Sequence, residues 1–179
     1  MVRDSRARFL FLALSALFLF SLGACAADSC QPVFDALTKI VTTPSHSFTT
    51  HTAPFLNGGK PRTSETIYAQ GKIYIRANGQ WMHSRVTPAE VLEQEKENRQ
   101  HTKGVCQFVR NELVGTEPAE VYSMHSESED GKQDSQMWIS KRTGLALRSE
   151  DDVDLGGGGG KNKEHRSARF EYGNILPPI

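Results

Sequence analysis

The stretch Lys72-Ile73-Tyr74-Ile75-Arg76-Ala77-Asn78-Gly79-Gln80-Trp81-Met82-His83 decides how this chain folds. Asn-Gly between two runs of β-branched and aromatic residues is the strongest short hairpin signal, because both turn positions need a positive φ. A two-residue turn pairs Ala77 with Gln80, Arg76 with Trp81, Ile75 with Met82 and Tyr74 with His83, and directly opposed residues share a face. One face then carries Ile73, Ile75, Ala77 and Met82, and it must be buried or line an apolar cavity. The other carries Tyr74, Arg76, Trp81 and His83, where Arg76 over Trp81 offers a cation–π contact.

The same grammar extends outward from the hairpin. Strands are expected over 47–52, 63–70, 72–77, 80–86, 105–114, 119–126, 135–140, 145–150 and 167–172. Turn signals separate them at Asn57-Gly58-Gly59, Gly115-Thr116-Glu117-Pro118, Glu129-Asp130-Gly131 and Lys141-Arg142-Thr143-Gly144. Gly156–Gly160 reads as a flexible hairpin tip. About nine strands with such short connections make an antiparallel meander, and an open sheet of that size curls or closes to protect its edges. Two helices accompany it. Val33, Leu37, Ile40 and Val41 recur at helical spacing after Ser29 and Pro32, so this first helix needs a surface to lie on. Thr87-Pro88-Ala89-Glu90 is a capping box opening a second helix to about Gln100. Its only large apolar residues are Val91 and Leu92, so it is a surface helix or a cover over an opening, not core. The fold class is therefore mainly β (α+β), a curved antiparallel sheet or incomplete β-barrel with an N-terminal helix and one further helix covering it.

The first residues carry a different signal. Arg3, Arg6 and Arg8 precede an uncharged run from Phe9 to Leu22, and small residues follow at Gly23-Ala24-Cys25-Ala26-Ala27. This three-part pattern is that of a secretion signal over residues 1–26, with one domain over 27–179. Ala24-Cys25-Ala26 fits cleavage after Ala26, while Leu22-Gly23-Ala24-Cys25 also fits a bacterial lipobox in which Cys25 carries lipid. On either route Cys30 and Cys106 remain, and two cysteines in an oxidising compartment imply one disulfide. The expected location is the periplasm, soluble or tethered through Cys25, and the expected state is a monomer. The formal charge is zero, which leaves no electrostatic footprint for nucleic acid or an anionic membrane and points to a neutral, apolar or zwitterionic partner.

Taken in order, the signal, the short helix, Ser64–Ile75, the Thr-Pro-initiated helix, the cysteine strand, Ala119-Glu120-Val121-Tyr122-Ser123, Gln136-Met137-Trp138-Ile139-Ser140 before Gly144-Leu145-Ala146-Leu147-Arg148, and the closing Arg169-Phe170-Glu171-Tyr172-Gly173-Asn174 resemble the LolA-like outer-membrane lipoprotein-sorting proteins and their periplasmic relatives. The resemblance implies a half-barrel whose helices cover an apolar cavity for acyl chains. The residues add their own argument: Met82, Met124 and Met137 would suit an adaptable pocket, since thioether chains repack easily. Candidate cavity residues are Ile67, Ile73, Ile75, Met82, Val121, Met124, Met137, Ile139 and Leu147, with Val91 and Leu92 as lid candidates. The expected ligand is an apolar small molecule, a lipid or an acylated protein.

Catalytic signatures are missing from the sequence. The six histidines show no metal-ligand spacing, there is no Gly-x-Ser-x-Gly elbow, and Asp151, Asp152 and Asp154 lack the spacing of a calcium loop. The expectation is a protein that is not an enzyme and uses no cofactor or metal. The alternative is a sensor or protein-interaction domain of the same fold that regulates an envelope process.

Overall fold

The computed structural model describes residues 30–54, 57–101, 103–128, 131–155 and 162–179. The signal segment with Cys25, Ser29 (expected to cap the first helix) and the glycine run lie outside the described residues. Helix α1 (Gln31–Thr42) is followed by strands β1 (Ser45–Thr52), β2 (Arg62–Ala69), β3 (Lys72–Ala77) and β4 (Gln80–His83). Helix α2 (Pro88–His101) leads to β5 (Lys103–Val114), β6 (Glu117–Ser128), β7 (Gly131–Ser140), β8 (Ala146–Asp154) and β9 (Lys163–Tyr172). All nine strands form one curved, open antiparallel sheet in the order β4-β3-β2-β1-β9-β8-β7-β6-β5. It consists of two meanders, β1–β4 and β5–β9, joined along the single seam between β1 and β9.

The β3–β4 hairpin has the register expected from Asn-Gly, with Arg76 opposite Trp81 and Ile75 opposite Met82. Asn78 and Gly79 both have positive φ, at 52° and 79°, which is why that dipeptide occupies the turn. Arg76 does not stack on Trp81. It pairs instead with Glu65 on β2, Nη1 to Oε1 at 2.8 Å. The capping box of α2 is also formed, with the Thr87 amide donating to Glu90 Oε2 at 2.7 Å and the Glu90 amide donating to Thr87 Oγ1 at 3.3 Å.

Helix α1 lies on the concave face against β7 and β8 and reaches β2. Val33, Ala36 and Ile40 are buried under it together with Cys106, Met137, Ile139 and Ala146. Two devices hold its ends. Cys30, the residue before its first turn, is disulfide-bonded to Cys106 on the edge strand β5. At the other end the Ser45 hydroxyl donates to the Ile40 carbonyl at 2.7 Å, and Lys39 Nζ donates to the Thr143 carbonyl in the β7–β8 turn at 2.9 Å. From β5 to β1 the sheet advances five strand spacings, about 24 Å along its surface. A helix of this length spans only about 18 Å. The helix is thus a chord across the bend of the second meander.

Among the described residues no helix packs on the convex face. Its apolar residues gather in two patches: Ile67, Ala69 and Tyr74 with Trp81 and Ile175, and Ala119, Val121 and Trp138 with Val114 and Leu147. Three of the expected cavity residues, Ile67, Val121 and Leu147, therefore sit on the face away from the helices. Ile67 is placed there by its register opposite Tyr74. Leu147 falls at a bulge, where Trp138 pairs with Arg148 but Ile139 pairs with Ala146.

Candidate functional site

Where the helices leave the concave face there is an open hollow of about 840 Å³. Phe34 and Leu37 of α1 form its roof, and Glu95, Asn98, Arg99 and His101 of α2 form one rim. Met124, Gln133, Val153 and Arg166 form its floor and Leu155 stands at its far end. Leu37, Glu95, Met124 and Gln133 also border a second space of about 260 Å³, which runs under α1 to Met137, Ser149 and Phe170. The two spaces adjoin at these shared residues and form a channel between the helices and the β5–β9 meander, of a size that holds an acyl chain.

Of the residues expected to line a cavity, Met124 and Met137 do so. Ile73, Ile75 and Ile139 are on the same concave face but not in the channel wall: Ile139 packs beneath α1, and Ile73 and Ile75 lie beyond the seam in the first meander. Met82 is 51% exposed on the short edge strand β4. Val91 and Leu92 are half-buried, but α2 does not present them to the hollow. Its inward side is Glu95, Asn98, Arg99 and His101, and this polar rim is what sequence periodicity missed. Helix α2 has no apolar stripe to orient it. It is held at its start by the capping box, packs on α1 and β5, and so turns residues of either polarity inward.

The floor holds a second feature that spacing concealed. His51 on β1 and Glu164 on β9 are joined across the seam, Nδ1 to Oε1 at 2.8 Å, and Arg166 donates to both Glu164 oxygens at 2.9 and 2.8 Å. Beside them Gln133 donates to Ser135 at 2.9 Å and to Asp151 at 3.1 Å. Glu164 is 8% exposed, and it stays charged because Arg166 and then His51 outweigh burial and hold its carboxyl at about 2. On β2, burial and then the charge of Glu95 push the Tyr68 phenol up. Burial also pushes up the Tyr172 phenol. The site is thus apolar along the roof, mixed along the floor and polar along the rim. Among the described residues no group of His, Cys, Asp and Glu is placed to hold a metal ion.

The Glu164 arrangement makes stability depend on acidity with a definite sign. A carboxyl whose folded value is depressed stabilises the fold above its unfolded value of 4.5 and loses that contribution as pH falls toward about 2. With Arg166 and His51 partly in solvent, the contribution is on the order of 1–2 kcal/mol. Replacing Glu164 with Gln should therefore cost stability at pH 7 and flatten the fall between pH 4.5 and 2, read from urea midpoints at stepped pH. An unchanged acid limb would show that the pair carries no linkage.

No family model matches the chain, and no curated protein matches it in sequence. Three solved structures are similar in shape. The crystal structure of LprF from Mycobacterium bovis is 9% identical with a TM-score of 0.42, the match covering 86% of this chain and 98% of that one. MucB, in complex with MucA(peri), is 12% identical with a TM-score of 0.39, the match covering 84% of this chain and 57% of that one. A DUF1329 family protein from Desulfovibrio piger is 10% identical with a TM-score of 0.29, over 84% of this chain and 96% of that one. The likeness is loose. It carries no argument about ligand or activity, which must come from the channel itself.

Proposed function

We propose that this protein is a non-enzymatic binder of a single-chain or acylated amphiphile, working in the cell envelope of a bacterium after export. What supports this reading is the channel between the helices and the second meander: its volume suits an acyl chain, and Phe34, Leu37, Met124 and Met137 give it an apolar wall. Side chains of this kind bury hydrocarbon at roughly 25 cal/mol per Å² of apolar area removed from water. The polar rim gives the ligand an orientation, with its chain under α1 and its polar end toward α2. The LolA-like resemblance read from the sequence agrees with this role but does not extend it to lipoprotein carriage.

The neutral probe N-phenyl-1-naphthylamine should bind the domain saturably with one site and a Kd in the micromolar range, read as a rise in probe fluorescence. Replacing Leu37 with Trp should fill the channel and weaken that binding at least tenfold while leaving the sheet's circular dichroism unchanged. No saturable binding by the parent protein would overturn the reading.

A second reading, a protein-interaction domain of the same fold, draws on the free edge of β5. Val105, Phe108 and Leu113 are 59%, 52% and 65% exposed on a twelve-residue strand whose outer hydrogen-bonding groups have no neighbour in the sheet. Such an edge accepts an added strand. Binding of a partner that persists in the channel-filled Leu37→Trp protein would favour this reading over the first.

A further inference from the structure

Arg99 is the one arginine or lysine bordering the hollow that has no anionic partner among the described residues. Lys132 pairs with Glu127 at 2.7 Å and Arg166 pairs with Glu164 at 2.8 Å. Arg99 instead stacks its guanidinium over the Phe34 ring, 4.2 Å from the centroid. Its Nε is buried without a hydrogen-bond acceptor. Glu95, one helical turn earlier, forms no ion pair with it, and the Glu95 charge is felt instead at the Tyr68 phenol. A guanidinium has five N–H donors in a planar fork and binds carboxylate or phosphate through two of them. Stacking on an aromatic ring leaves that fork free at its edge and fixes its plane.

The position of this cation matters as much as its vacancy. Phe34 is both the ring beneath Arg99 and part of the apolar roof of the hollow. A hydrocarbon chain against Phe34, Leu37 and Met124 would place its head beside the guanidinium edge, with Asn98 and His101 on the same rim. In a site partly closed to water a charge-assisted hydrogen bond is stronger than at an open surface. A neutral head group would leave the open edge of the guanidinium without a charged acceptor, and a cationic one would be repelled.

The geometry points to Arg99 as the head-group ligand of this site, selecting amphiphiles with an anionic oxygen head, a carboxylate or a phosphate monoester, over neutral ones. This rests on the reading of the hollow as a ligand site and adds to it the charge of the ligand.

The test is displacement of N-phenyl-1-naphthylamine at pH 8 by three molecules of equal chain length, laurate, dodecyl phosphate and 1-dodecanol, with inorganic phosphate as a fourth arm. Laurate and dodecyl phosphate should displace the probe at concentrations at least tenfold lower than dodecanol. In Arg99→Gln that preference should collapse to about onefold with dodecanol unchanged, and Arg99→Lys should retain part of it. Dodecanol equal to laurate in the parent protein would overturn the head-group inference while leaving the hollow as an apolar site. A preference that survives Arg99→Gln would overturn the assignment to Arg99. Displacement by inorganic phosphate alone would show an anion site that does not read amphiphiles. Failure of all four to displace a bound probe would overturn both the inference and the reading of the hollow beneath it.

Discussion

A chain with serine at both Cys30 and Cys106 should unfold with about 4 kcal/mol less stability than the oxidised parent. The estimate follows from the loop that the bridge closes. The two cysteines are 76 residues apart, and in the chain-entropy account a loop of that length restricts the unfolded chain by roughly 3–5 kcal/mol. Both cysteines are replaced together so that no buried free thiol confuses the result. The native state should respond as well, because the bridge anchors one end of the α1 chord while Ser45 and Lys39 hold the other. Without it, the first turn of α1 and the Phe34 roof lose their fixed distance from β5. Equilibrium urea unfolding of the oxidised, reduced and doubly substituted proteins measures the effect, together with probe binding by each. A loss below about 1 kcal/mol would mean that the unfolded chain is already restrained by other contacts.

The second large effect is expected on the convex face. Trp138 is 3% exposed although no helix covers it. Its ring lies on Ala119 and Val121 from β6 and is roofed by the guanidinium of Arg148, 4.7 Å from the ring centroid, with Arg110 at 6.0 Å. The long stems of these arginines take the place of a packing layer while their charges stay in water. Trp138→Ala should cost about 3–5 kcal/mol, the usual range for removing a buried indole. Arg148→Gln should cost only about 0.5–1 kcal/mol, since it removes one cation–π contact from a ring that Arg110 still approaches. Urea midpoints of the two variants decide the matter. Equal small losses would mean that this patch is solvated surface rather than a second core.

These features differ in how far the sequence revealed them, and the division is physical. What depends on neighbours along the chain was legible: the Asn78-Gly79 turn, the Thr87–Glu90 cap, the amphipathic stripe Val33, Leu37, Ile40 and Val41, and the succession of about nine strands and two helices. Within each of the two meanders a strand finds its partner next to it in sequence, which also made the open curved sheet legible, but not the seam between β1 and β9. What depends on pairing across the fold was not. Met137, Trp138 and Ile139 are all apolar, so alternation could not say that Met137 faces the channel while Trp138 faces the arginines. The bulge at Leu147 shifts parity without a mark in composition. Helix α2 offered Val91 and Leu92 as its only greasy residues, yet Glu95, Asn98 and Arg99 form the rim. His51 and Glu164, 113 residues apart, meet only because β1 lies against β9.

That seam also sets an order of events. Strands β5 to β9 close by successive hairpins between sequence neighbours, the kind of local pairing that forms quickly. Strands β1 to β4 can do the same, but β1 acquires its second neighbour only when β9, more than a hundred residues later in the chain, is present. A chain made from its N terminus must therefore leave one flank of β1 open until β9 has been made. The early half waits for the late half, and any agent that shelters nascent strands would meet this protein first along β1.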